Sequence, residues 1–137
     1  MEEEIMAKER FSGVSKGLKA LFAIHGVFSL LSGSLLFLAP FKWAELNQYG
    51  AIDQGAMRLL GAVVLALGFK DWFCFHAKGW SEVRIIVIQE VAITVLATLA
   101  CIYMASLGGA SRVVWMNLVI FAALAVAWTY FFIKYRK

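Results

Sequence analysis

The chain has 137 residues, of which 62% are hydrophobic and only 16% charged, with a net charge of +4. Ordinary soluble domains are about half apolar and about a quarter charged, so this composition excludes a water-soluble core and points to helices in lipid. The basic residues cluster at the ends of apolar runs, which does not suggest a nucleic-acid surface and fits a membrane protein.

Residues 1–16 are polar, with three early glutamates followed by Lys8, Glu9, Arg10 and Lys16. They read as a cytoplasmic juxtamembrane segment, and a short surface helix and disorder fit them equally well. No cleavable signal peptide is evident, because MEEEIMAKER is acidic as well as basic and no A-x-A-like site follows the first apolar run. The first span is therefore expected to be retained.

Residues 17–137 are expected to form one four-helix transmembrane domain. The first span covers 17–39 and stops before Pro40, since proline disfavours helix in the residue before it. Gly26, Ser29 and Gly33 make a small-residue stripe suited to close helix approach. His25, Ser29 and Ser32 lie on an overlapping polar face. Residues 40–55, PFKWAELNQYGAIDQG, are too polar to span. Phe41, Trp43 and Tyr49 suit the interface, so a short in-plane helix or a partly re-entrant loop is expected.

The second span covers 56–76. It opens with Arg58 and closes on Lys70, Asp71, Trp72 and Phe73. Lys70 and Asp71 either snorkel to the edge or lie inside the bundle. Arg58, Gly61, Leu65 and Gly68 share a face, a second close-packing seam. For Arg58 itself, Asp53, Glu45 and a lipid phosphate are the candidate partners, and snorkelling to headgroups is the simpler expectation.

Residues 77–82 make a tight turn, and Ser81 is expected to cap the third span at 83–105. That span is a rod of ~35 Å, longer than the ~30 Å hydrocarbon core. It carries Glu90 among apolar residues, and helical spacing puts Glu90, Thr94, Thr98 and Cys101 on one face. That face should point away from lipid, where a carboxylate costs several kcal/mol. Residues 106–111 form a glycine-rich turn. The fourth span covers 112–133 and ends in an aromatic belt and a basic stop.

Four spans place both termini on one side. That side would carry Lys8, Arg10, Lys16, Lys19, Lys70, Lys78, Arg84, Lys134, Arg136 and Lys137, against Lys42, Arg58 and Arg112 on the other. This bias predicts cytoplasmic termini. Short turns force antiparallel neighbours, so the fold class is all-α, an integral membrane up-down bundle. The order of helices around it is left open.

Topology brings His25, Lys70, Asp71, Gln89 and Glu90 to one layer in the cytoplasmic half, a candidate intramembrane polar site. A carboxylate near an imidazole can relay a proton or hold a ligand. The same groups can also act as a polar clamp of Glu90 with Lys70 or His25 that selects which helices pack, at about 0.6 kcal/mol per contact. Gly26, Gly33, Gly61 and Gly68 are the helix-packing candidates. Arg58, Trp43 and Trp72 are the interfacial ones, and Trp80, Trp115 and Trp128 also read as anchors near the membrane edges. Cys74 and Cys101 fall near opposite faces, too far apart to bridge. His76 has no metal-ligand spacing with His25 or the cysteines, and no phosphate loop, nucleophile elbow or zinc motif occurs. No catalytic residue, metal or cofactor is expected from the sequence.

One motif pair carries a resemblance. The first span ends LLSGSLLFLAPFKW and the second opens DQGAMRLLGAVVLALGF. A glycine-containing span closing on L-x-P, a polar connection and an R-L-L-G start resembles small bacterial four-helix proteins of the DoxX-like type. The order Gln54, Ala56, Arg58, Gly61 is more distantly similar to a family of sterol-pathway scaffolds, four-helix proteins that tether enzymes. The resemblance covers the first 75 residues or so and transfers no catalytic residue.

Small size, thin extramembrane mass and the seams predict a non-enzymatic accessory, scaffold or assembly subunit. Its partners would be membrane lipids and another membrane protein or a second copy, with no nucleic acid. A bacterial inner membrane fits better than an organellar one. The alternative is a binder or transporter of a small hydrophobe or ion through Glu90 and His25. A small enzyme acting on a lipid or quinone is the third reading.

Overall fold

The computed structural model describes residues 13–48, 50–108 and 110–136. Most of the juxtamembrane segment and Tyr49 lie outside the described residues. Five helices account for the described fold: α1 (Lys16–Leu38), α2 (Pro40–Leu46), α3 (Gln54–His76), α4 (Trp80–Ser106) and α5 (Arg112–Arg136). No strand occurs among the described residues beyond one isolated bridge between Gly13 and Gly79. The architecture is all-α.

Each boundary has a local cause. The Ser15 hydroxyl accepts from the Leu18 N–H and caps α1. Ala39 leaves helical geometry because Pro40 follows it, and Pro40 then opens α2, where its missing N–H is no loss. Asp53 caps α3, its Oδ1 accepting from the Ala56 N–H at 2.9 Å. The cap expected at Ser81 is instead at Gly79, whose N–H donates to Glu82 Oε1 at 3.1 Å. Ser81 is two residues too late, because α4 begins at Trp80. Gly108 has φ +80°, a conformation that favours glycine, and turns the chain from α4 towards α5.

The long helices α1, α3, α4 and α5 are all long and apolar enough to cross a membrane. Their outer faces are apolar: Leu31, Leu59, Phe73, Ile85 and Val119 are among the most exposed side chains. In water such a surface would associate, whereas in a bilayer it is solvated. The chain is a small multi-pass integral membrane protein, and α2 is the short helix between the first two spans.

The four spans form two hairpin-like pairs. α1 lies closely against α3, and α4 against α5. The α1–α3 seam is made by glycines. A Cβ on Gly61 would come within 2.5 Å of the Phe37 nitrogen, and one on Gly33 within 2.7 Å of the Leu65 nitrogen. One on Gly68 would meet Leu30 Cγ at 2.7 Å, and one on Gly26 would meet Asp71 Cβ at 3.1 Å. Backbones this close leave no room for a side chain.

The two pairs meet through side chains at the end of the bundle where α1 begins and α5 ends. Leu18, Phe22, Cys74, Ala77, Val83, Val87 and Trp128 form one buried apolar cluster there. Around it, the Ser15 N–H donates to the Tyr135 hydroxyl at 2.8 Å and the Trp80 ring stacks on Tyr135.

Candidate functional site

His25, Asp71 and Glu90 come from α1, α3 and α4, and each lies on the inward face of its helix. On α1, His25 is about one turn beyond Phe22. On α4, Glu90 follows Val83 and Val87 at helical spacing. On α3, Asp71 follows Gly68 at a spacing of one turn, with Cys74 a turn further towards the end of the helix. The three polar groups therefore sit in one layer immediately above the apolar cluster.

Their geometry is tight. His25 Nδ1 lies 2.7 Å from Asp71 Oδ2 and 3.6 Å from Glu90 Oε2. Lys70 reaches the layer from the margin of α3. Its ammonium donates to Glu90 Oε1 and lies 3.4 Å from Asp71 Oδ1. The Asp71 and Glu90 side chains are 0% exposed, His25 is 9% and Lys70 is 17%. Two carboxylate oxygens, Asp71 Oδ1 and Glu90 Oε2, have no hydrogen-bond partner.

The charges do not cancel. Two carboxylates and one ammonium sum to −1 when the imidazole is uncharged. A residual negative charge at this depth is costly. The cluster therefore favours one more positive charge.

The structure also separates members of the sequence-derived layer. Gln89 is exposed on the outer face of α4, one residue round from Glu90, and is not part of the cluster. Its position follows from the ~100° turn between successive helix residues. Trp128, expected as an interfacial anchor, is fully buried. Its ring lies 4.9 Å from Phe22 and edge-on to His25 at 6.0 Å. Its Nε1 is buried without a partner. Its depth matches that of the layer, since Trp128 is about as far from the Lys134 end of α5 as Lys70 is from the His76 end of α3, but depth does not show which way the ring faces.

The other candidates lie away from the layer. Trp72 is exposed beside Phe75 and His76, and Trp43 is half-buried in α2. Arg58 is exposed, and neither suggested carboxylate faces it: Asp53 caps α3 and Glu45 pairs with Lys42 at 2.9 Å. Thr94 and Thr98 return their hydroxyls to their own helix, donating to the carbonyls of Glu90 and Thr94 at 2.7 Å. Cys74 and Cys101 are both buried free thiols.

Outside the seam, Gly26, Leu30, Gly68, Trp72 and Phe75 help line a shallow groove between α1 and α3. Its lining is almost wholly apolar, and none of the four charged residues contributes to it. It suits a hydrocarbon chain and has no group to recognise a head.

No protein-family model, curated protein or solved structure matches this chain.

Proposed function

We propose that this membrane protein is a cation binder or transporter, working through the layer of His25, Lys70, Asp71 and Glu90. The observation that carries this reading is the convergence of four ionisable side chains from three helices, with two buried carboxylate oxygens left without a hydrogen bond. A packing clamp needs only one matched pair, and apolar residues of the same volume often pack as well or better. Two carboxylates facing one lysine exceed what a clamp requires and leave a place for a further cation.

The accessory-subunit reading retains support from the chain's small size. It loses the support of the glycine stripes, because Gly26, Gly33, Gly61 and Gly68 are consumed in the internal α1–α3 seam. They are not free to receive another protein.

The test is charge displacement in proteoliposomes adsorbed to a solid-supported membrane. Separate concentration jumps of H⁺, Na⁺, K⁺ and Mn²⁺ would be applied. At least one jump should move charge in the wild type, and Glu90→Gln and Asp71→Asn should abolish that signal. Silence for every cation, or a signal unchanged in both variants, would overturn the proposal.

A further inference from the structure

We infer that His25, Asp71 and Glu90 form a binding site for a divalent transition-metal ion, and that the Lys70 ammonium holds the ion's place until it arrives. The inference rests on the cation-binding reading above and names the cation.

Three observations carry it. First, one nitrogen and two carboxylate donors lie together: suitable atoms of all three residues fall within 4.8 Å of one another. Ligands bound at ~2.0–2.2 Å lie at most about 4.4 Å apart, so the donors need move only slightly to share one ion. Second, Glu90 Oε2 is buried without a hydrogen bond and faces His25 Nδ1 at 3.6 Å, and Asp71 Oδ1 also lacks a hydrogen bond, with only the Lys70 ammonium beside it at 3.4 Å. Third, the donor chemistry discriminates. Imidazole nitrogen with carboxylate oxygen suits zinc and its open-shell neighbours, whereas sodium, potassium, magnesium and calcium take oxygen donors.

Charge supplies the role of Lys70. A divalent ion added beside Lys70 would leave the site at +1. With Lys70 withdrawn, the ion and two carboxylates sum to zero. Lys70 is the most exposed member of the cluster, and its flexible stem can carry the ammonium to the membrane edge. Metal entry is therefore an exchange of one cation for another, with no bond made or broken to carbon. No local metal-ligand motif marks the site, because His25 and Asp71 are 46 residues apart and the third ligand is on another helix.

The tag-free full-length chain in detergent would be titrated with Co²⁺. One ion should bind per chain, with visible d–d absorption reporting nitrogen and oxygen ligands. His25→Ala, Asp71→Asn and Glu90→Gln should each weaken binding at least ~tenfold, since loss even of an outer-shell partner costs that much. Lys70→Met should tighten it on the order of tenfold, because a competing charge is removed from a site of low dielectric. A readout on the unaltered protein guards against misfolding of that variant: Co²⁺ should raise acetylation of Lys70 by acetic anhydride, measured by mass spectrometry. Absent d–d bands, binding that survives the ligand substitutions, or Lys70 labelling unmoved by Co²⁺ would each overturn the inference. A charge displacement on a proton or sodium jump without Co²⁺ binding would overturn the metal site alone. Silence in both experiments would overturn the cation-binding reading as well.

Discussion

The α1–α3 seam and the junction between the two helix pairs are both interhelical contacts at membrane depth, built from opposite materials. The seam is made by removing side chains. Gly33 and Gly61 let backbone meet backbone, so its specificity is steric. The junction is made by adding polar ones. His25, Lys70, Asp71 and Glu90 cross it, above the apolar cluster around Trp128. A steric seam has one arrangement. Ionisable side chains carry a chemistry that such a seam lacks.

The largest expected effect breaks the seam. Gly61→Leu should prevent accumulation of folded protein, because even its first carbon would lie 2.5 Å from the Phe37 nitrogen. Gly61→Ala should still cost about 1–3 kcal/mol by overpacking, read as a fall in thermal midpoint. A normal midpoint for Gly61→Leu would mean that the pair can separate.

Breaking the junction comes next. Glu90→Ala should cost about 3–5 kcal/mol, since it removes the carboxylate that accepts from the Lys70 ammonium and empties a fully buried position beside His25. The paired change Lys70→Met with Glu90→Met should recover much of that loss in the same melt. If the double variant is as unstable as the single one, the junction does not depend on matched charge.

Trp128 offers a smaller test. Trp128→Phe should cost less than about 1.5 kcal/mol, because most of the ring is kept and an unpartnered N–H leaves. A larger fall would show that Nε1 has a partner in the membrane. Smallest of all, Gln89→Ala should leave both thermal midpoint and Co²⁺ binding unchanged, because Gln89 is on the outer face. Its failure to do so would widen the site beyond the four residues.

The spans and their approximate ends were legible because long apolar runs, Pro40 and short turns each have a direct physical consequence. The depth of His25 and Glu90 was legible for the same reason, since counting from a helix end fixes height. What could not be read was azimuth. α4 is apolar on nearly every side in sequence, so periodicity gives little hint of how its neighbours are arranged. Gln89 and Glu90 share a depth and differ only in direction, and a polar residue at membrane depth does not announce its direction. Trp128 misled for a related reason. A tryptophan near a span end suits the interface equally well, and only packing against Phe22 reveals that it faces inward. The glycine faces were visible in α1 and α3, but not that each is the other's partner.

The ties among Gly13, Val14, Ser15, Gly79 and Tyr135 have a mechanical consequence. The strand-like stretch just before α1 docks on the α3–α4 turn through the Val14 N–H and Lys78 carbonyl, while Ser15 holds the last turns of α5. The pairs are thus riveted at one end, like tongs. A hinge there converts angle into gap: α4 is about 40 Å long, so a rotation of ~5° parts the far ends by roughly 3 Å. The charged layer lies close to the rivet and would open by only a fraction of that. With such leverage, a small change in how Lys70 and Glu90 meet would be magnified towards the far ends of the helices.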